Sequence, residues 1–310
     1  MNKVKVAVIG YGHLGKWHCQ KAAQIENSTL VAIVEMSEQG QAMAREAHPD
    51  VKVVACVDEV MSEVDAFIVV TPTSTHASIV SNLLDKKKHI FCEKPLCSNQ
   101  TELAQIESRL DSKLVLQVGH SERCHQAWGI LKEKFDSIEG KKIIKLNRFA
   151  PFKGRATDVD VVQDLMIHDI DLMMYLFEEK PSQIKSYGFP IRTDKYDHVV
   201  SHFSFEDGSI CEITSGRNST HEVRELEVVS ASGCYRVDLM HNKWAYATNS
   251  KLSNGEYVEE HEYEKRDHLF IEQDLFYKSI LTSSDVFVSF TDGKVAVELI
   301  DAVILSLGSS

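Results

Sequence analysis

Over its first 120 positions the chain alternates short apolar runs with stretches of helical spacing. Residues 3–9 read as a buried strand, 14–25 as a helix, 29–35 as a second strand and 37–48 as a second helix. Residues 65–70 and 89–92 are further strands with a helix at 77–85 between them. A helix at 103–110 and a strand at 113–118 follow. Strands spaced by single helices argue for a doubly wound parallel sheet with right-handed crossovers. After Gly119 the rhythm changes. Residues 127–135 look helical and 142–149 form a strand. Residues 164–177 form a helix with apolar positions Leu165, Ile167, Leu172 and Leu176. From 182 to 263 strand patterns dominate, with a hairpin signal at Asp207-Gly208 and a turn at Ser232-Gly233. Residues 267–281 and 294–307 look like closing helices. The expected fold class is α/β: a parallel-sheet domain over 1–120, then an α+β domain over 121–310 on a large, mostly antiparallel sheet.

The 310 residues suffice for two cores. A formal net charge of -12 argues against nucleic acid or an anionic membrane surface as a general partner. No segment approaches the ~20 apolar residues of a membrane span. The start runs directly into a strand, without the apolar core and small-residue cleavage site of a secretory signal. Seven cysteines, an odd number with no Cys-x-x-Cys pair, fit reduced thiols and a cytoplasmic location.

Gly10-Tyr11-Gly12-His13-Leu14-Gly15 follows the first strand and opens the first helix, the context in which G-x-G-x-x-G binds a dinucleotide. Gly10 permits the tight turn, Gly12 lets the backbone approach a pyrophosphate, and Gly15 allows close helix–strand packing. The N–H groups that open the helix, around His13 and Leu14, would face the phosphates. The first domain is therefore expected to be a Rossmann domain. Glu35, at the end of the second strand, can accept both ribose hydroxyls and repels a 2′-phosphate, and no basic residue follows it until Arg45. NAD is favoured over NADP. Thr71-Pro72-Thr73-Ser74-Thr75-His76 follows another strand, so Thr71, Pro72 and His76 are further cofactor candidates, although the hydroxyls could equally cap the next helix.

Glu93-Lys94-Pro95 ends a buried strand, where ligands meet a parallel sheet. Oxidising a secondary alcohol needs a proton acceptor and a hydride acceptor held in line. Lys94 could take the proton if burial or nearby cations lower its pKa. Asp164 and His168 are four apart on a predicted helix and share a face. The aspartate can bond the imidazole or a hydroxyl, and the imidazole can take a proton near neutrality; Asp169 and Asp171 leave the choice of carboxylate open. No metal site is expected. His198 and His202 fall in a strand pattern and merely share a sheet face. Residues 141–155 carry Lys141, Lys142, Lys145, Arg148, Lys153 and Arg155 and no acid, with His120 and Arg123 nearby in sequence. This basic segment could bind a phosphorylated or nucleotide-linked substrate, or could be a solvated strand edge.

Gly10-x-Gly12-x-x-Gly15, Glu93-Lys94-Pro95, Asp164-x-x-x-His168 and the closing Asp292-Gly293 together resemble the glucose–fructose oxidoreductase, inositol dehydrogenase and rhizopine catabolism (Gfo/Idh/MocA) family over nearly the whole length. The resemblance implies that Lys94, Asp164 and His168 line the nicotinamide site, that Glu93 belongs to the cofactor-binding set, and that the open sheet supports a homodimer or homotetramer. It implies His168 as general base, Lys94 bonding the reacting hydroxyl, and Asp164 orienting base or substrate. Residues 118–123, 148–155 and 161–171 look closest to the nucleotide-sugar branch, the UDP-N-acetylglucosamine 3-dehydrogenases that feed lipid A synthesis. That likeness makes His120, Arg123, Arg148 and Arg155, with Lys94, Asp164 and His168, the substrate-binding candidates. The expected activity is NAD-dependent oxidation of a ring hydroxyl, at C3 of UDP-N-acetylglucosamine, giving a ketone suited to a partner aminotransferase. The alternatives are a dehydrogenase of free sugars or inositols and a non-catalytic NAD-binding sensor. The proton acceptor, Lys94 or His168, stays open at this level.

Overall fold

A computed structural model describes residues 3–308. The chain forms two compact units. One runs to Cys124 and also contains Asp267–Val297; the other comprises His125–Arg266 and the chain from Glu298 on.

The first unit is built from β1 (Val4–Ile9), α1 (His13–Gln24), β2 (Ser28–Val34), α2 (Glu38–Ala47), β3 (Lys52–Val54), β4 (Ala66–Val69), α3 (Thr73–Asp85), β5 (His89–Glu93), α4 (Gln100–Glu107) and β6 (Leu116–Gly119). All six strands pair in parallel in the order β3-β2-β1-β4-β5-β6. This is the doubly wound dinucleotide-binding order, and its switch point lies between β1 and β4. The central strands are buried on both faces, as continuous apolar runs require: β4 has no exposed residue. Two departures from the sequence pattern matter below. The three-residue strand β3 was not expected, being too short to show a period. Helix α3 starts at Thr73 rather than at 77, because the polar run is its first turn: Pro72, with φ −58°, leads into it, and Thr75 Oγ donates to Thr71 Oγ and the Pro72 carbonyl.

The second unit opens with α5 (Gln126–Ser137) and β7 (Ile143–Phe149), then a π turn at Val162–Met166 that runs into α6 (Ile167–Phe177). Seven strands follow: β8 (Gln183–Phe189), β9 (His198–Ser204), β10 (Ile210–Gly216), β11 (Val223–Ser230), β12 (Gly233–Asp238), β13 (Lys243–Thr248) and β14 (Val258–Glu262). The eight-stranded sheet has the order β14-β13-β12-β11-β7-β10-β9-β8, antiparallel except between β7 and β10. Strands β9 and β10 form the hairpin expected at Asp207-Gly208. Strict alternation buries Ile144, Leu146, Ile213, Phe203 and Leu226 on one face, where the π turn and α6 pack on β10.

Helix α7 (His268–Thr282) belongs to the first unit. Its Phe276 and Tyr277 complete the core cluster that holds Val4, Val6, Val8 and Phe91. Helix α8 (Phe290–Leu307) closes the chain.

Candidate active site

In the first unit, the turn after β1 is shaped by its glycines. Gly10 has φ +96°, and a Cβ there would sit 2.5 Å from the Val70 carbonyl oxygen. A Cβ on Gly15 would sit 2.1 Å from the Gly10 carbonyl oxygen, so α1 presses directly on the turn. Gly12 differs: nothing lies within 4 Å of the position its Cβ would take. It is also the N-cap of α1, with no side chain capping the helix. The first N–H groups of α1 therefore face open space, a ready anion site.

Glu35 follows β2. Its Oε2 accepts the Tyr11 N–H and its Oε1 the Ser37 N–H, both at 2.8 Å. Burial pushes this carboxyl up, but those N–H bonds outweigh it and hold the pKa below the ordinary value. The carboxylate is thus ionised and fixed in direction, with further lone pairs to offer. Gly10, Gly12, Glu35, Thr71 and Pro72 line one cleft of about 620 Å³, within the range of cofactor pockets. The uncapped helix, the open Gly12 and the fixed acceptor suit a pyrophosphate and a ribose, so these residues fit NAD. Ala55, Cys56 and Val57 also line the cleft and were missed, because they follow the short β3; Ile79 and Asn82 of α3 complete its wall. The other candidates stand elsewhere. His13 and Leu14 are exposed on α1. His76 is buried, with its ring nitrogens 2.8 Å and 2.9 Å from the carbonyl oxygens of Pro95 and Thr71, tying two loops together.

Glu93 ends β5 and is buried. Its Oε1 lies 2.8 Å from His18 Nε2, and its Oε2 accepts the Lys94 N–H at 3.2 Å. Burial raises this carboxyl, yet its interactions with His18, ahead of those with Lys94, leave its pKa lowered. His120 is buried beyond the end of β6. Arg123 Nη2 donates to Asp292 Oδ1 at 3.0 Å, and burial of Asp292 is outweighed by that charge, so Asp292 stays ionised. Arg123 thereby fastens the turn at Ser121–Cys124 to the start of α8.

In the second unit, Asp164 lies in the π turn and His168 in the first turn of α6, both half-buried. A π turn inside a helix is a frequent mark of a functional site. Arg148, expected to meet substrate, makes a bidentate pair with Asp169, Nε at 2.9 Å and Nη2 at 2.8 Å. The two are 3% and 2% exposed, so Asp169 serves as a buried counter-ion. Arg148 also lines a narrow cleft with Lys153, Arg155, Arg217, Arg224, Asp164 and Glu222. Five cationic side chains meet two acids there, in a chain of net charge -12. Arg217 is held by Asp197, and Lys153 pairs with Glu222. Its open volume, about 50 Å³, suits one charged group of a ligand rather than a whole one. Lys153 belongs to the basic run read from sequence; Arg217 and Arg224 were not singled out and lie far along the chain from it. Lys94 belongs to the first unit, and Asp164 and His168 to the second. Among the described residues no group of three or more His, Cys, Asp or Glu is arranged to hold a metal ion, and no helix is long and apolar enough to cross a membrane.

Comparison with known proteins adds to this geometry. Residues 4–120 match the Gfo/Idh/MocA model described as an oxidoreductase family with an NAD-binding Rossmann fold, and residues 149–236 match the Gfo/Idh/MocA C-terminal domain. The chain is 32% identical over 244 residues to the UDP-N-acetylglucosamine 3-dehydrogenase of Acidithiobacillus ferrooxidans, covering 78% of this chain and 76% of that one. A solved structure of that Acidithiobacillus enzyme is similar with a TM-score of 0.89, at 28% identity, over 100% of this chain and 99% of that one. The scyllo-inositol 2-dehydrogenase (NAD(+)) of Bacillus subtilis is 24% identical over 318 residues, covering 96% and 92% of the two chains.

Proposed function

Because the chain belongs to the Gfo/Idh/MocA oxidoreductase family and is thus an NAD-dependent sugar dehydrogenase, we propose that it oxidises a ring hydroxyl of a nucleotide-linked amino sugar, at C3 of UDP-N-acetylglucosamine. The observation that carries this reading is the basic cleft of the second unit, an anion-binding feature that an uncharged polyol does not need. The relative from Acidithiobacillus, with a substrate of this class in its name, supports it.

Bound NAD would supply the hydride acceptor. Glu35 would hold its ribose hydroxyls and the N-terminus of α1 its pyrophosphate. Lys94 would donate a hydrogen bond to the reacting hydroxyl, lowering that hydroxyl's pKa. His168 would take the hydroxyl proton as the carbonyl forms, with Asp164 orienting the ring or the sugar. Arg155 and Arg224, on the rim of the basic cleft, would hold a phosphate. The product ketone suits a partner aminotransferase, as an amino-sugar route to lipid A would require, and the enzyme would work in the cytoplasm as a homodimer or homotetramer.

A second reading, oxidation of a free inositol or sugar, is favoured by the extent of the match to the Bacillus subtilis relative, 96% of this chain. NAD reduction measured with UDP-N-acetylglucosamine, UDP and myo-inositol separates the two. Turnover of the UDP-sugar with inhibition by UDP is expected; turnover of myo-inositol alone overturns the nucleotide-sugar reading.

A further inference from the structure

We propose that Gln273 and Tyr277 of α7, acting through His18 of α1, are positioning residues that fix the charge and orientation of Glu93 beside Lys94. The inference rests on the part assigned to Lys94 above and deepens it.

His18, Gln273 and Tyr277 are each 0% exposed, and Glu93 is 7% exposed. Burial raises the pKa of the Tyr277 phenol, so it remains a donor. Its Oη–H donates to Gln273 Oε1 at 2.9 Å. Gln273 Nε2 also faces the His18 carbonyl oxygen at 3.4 Å, which takes only a donor, so the amide sets its nitrogen toward His18 and its oxygen toward Tyr277. Gln273 Nε2 stands 2.9 Å from His18 Nδ1 and is a donor only, so Nδ1 accepts. The single ring proton of a neutral His18 is then on Nε2, which donates to Glu93 Oε1 at 2.8 Å. Every bond in the series points the same way, and it ends on the carboxylate.

The surroundings leave little freedom. Phe91 meets the His18 ring edge-on at a centroid distance of 5.4 Å and meets Phe276 at 5.8 Å. A Cβ on Gly119 would come within 3.0 Å of Glu93 Cδ and of both its oxygens, so the carboxylate lies flat against that glycine. The titratable groups that act on Glu93 include His18 from α1, Lys94 in its own loop and Cys92, and buried His120 follows its β6 partner Gly119. Burial drives the Cys92 thiol well up, so it carries no charge, and Gly119 of β6 pairs with Glu93 across the sheet. With Nδ1 accepting and Nε2 donating, the ring adds an oriented donor at Glu93, which presents its carboxylate to Lys94. None of the three outer residues needs to touch cofactor or substrate. Three buried polar side chains from two distant segments serve one carboxylate, an expensive arrangement for a purely structural end.

The test uses the full-length protein. Gln273→Glu keeps the shape and reverses the polarity: the new carboxylate can only accept, so His18 must donate from both nitrogens and becomes an imidazolium. The imidazolium is bonded to Glu93 directly and the new carboxylate only to the far side of the ring, so at Lys94 the added pair of charges offsets part of the field of Glu93. The ring ¹⁵N signals of His18, assigned by their loss in His18→Asn, should report the Nε2–H tautomer in the parent and the doubly protonated ring in Gln273→Glu. The limb of the kcat/KM–pH profile that belongs to Lys94 should move to lower pH by about one unit, whether Lys94 acts protonated or not. Tyr277→Phe, a milder change, frees the amide to flip its oxygen toward Nδ1, and because Nε2 still donates to Glu93 the ring should gain a doubly protonated population. An Nδ1–H or imidazolium ring in the parent overturns the proposal, as does a Gln273→Glu profile that stays put while the ring signals change. If Gln273→Glu does not fold, unchanged ring protonation in Tyr277→Phe overturns it. The ring measurement needs no substrate and the profile uses whichever sugar is turned over, so rejection of the UDP-sugar reading leaves this test intact.

Discussion

Gly12 and Gly15 stand three residues apart in one motif, yet the structure gives them opposite reasons for lacking a side chain. In Gly15→Ala the new methyl falls 2.1 Å from the Gly10 carbonyl oxygen and 2.9 Å from its carbon. Relief requires α1 to move by about 1 Å, and overpacking of this kind costs about 1–3 kcal/mol. Gly10 cannot yield, being held at φ +96° against the Val70 carbonyl. With about 2–4 °C per kcal/mol for a chain of 150–250 residues, the Tm should fall by about 2–12 °C. In Gly12→Ala the methyl enters open space at φ −71°, ψ −163°, a conformation alanine adopts freely. The apoprotein should keep its stability within about 0.5 kcal/mol. The methyl would occupy the approach of the pyrophosphate, however. Losing one bond from an α1 N–H to a charged oxygen, worth about 1.5–3 kcal/mol, should weaken NAD binding by about 10–150-fold. Calorimetric scans of the apoproteins and NAD titrations of both variants provide the check. A Gly12→Ala protein that binds NAD like the parent, or that melts as early as Gly15→Ala, would refute the assignment.

Glu35→Gln should lower the preference for NAD over NADP by at least about tenfold, since a carboxylate near a 2′-phosphate is repelled by up to about 4 kcal/mol per unit charge at 4 Å and the site is partly solvated; an unaltered ratio of kcat/KM values removes the ribose contact. Lys94→Ala should cut turnover by ~100-fold or more with NAD affinity retained, and unchanged turnover would take Lys94 out of the mechanism. Asp197 should make the fold acid-sensitive. Burial pushes its carboxyl up, but N–H bonds from Arg192, Ile191 and Thr193 and the Arg217 guanidinium hold it far below the ordinary value. A depressed folded-state pKa contributes stability that is complete above the unfolded value of about 3.9 and is lost as pH falls through the folded one. Thermal melts of Asp197→Asn from neutral to acid pH should start lower and fall less steeply than the parent's; parallel curves would contradict this account.

The parallel sheet was legible because its strands are buried on both faces and read as unbroken apolar runs, and because the glycine motif sits where strand passes to helix. The three-residue β3 carries no period, so the cleft wall at Ala55–Val57 was invisible. In the second domain the strand-rich region was plain, but the strand order was not: β7 pairs in parallel with β10, some sixty residues on, and nothing local encodes that. The same distance hid Arg217 and Arg224, which reach the basic cleft from the end of β10 and from β11 respectively. Asp169 could not be told from Asp164 by spacing alone; only its buried bond to Arg148 separates their roles. His18 lay in plain view within α1, but its partners Gln273 and Tyr277 are some 255 residues away.

The discontinuity of the first unit bears on how the protein is made. A nascent chain emerging from the ribosome delivers all six parallel strands early, but the helix that covers Val4, Val6, Val8 and Phe91 with Phe276 and Tyr277 arrives after more than 140 further residues. Until then one flank of the sheet lacks its cover, and sequential, N-terminal-first maturation is closed to this protein. Any fragment ending before Asp267 should therefore be prone to aggregation, and in cells such early termination products should depend on chaperones.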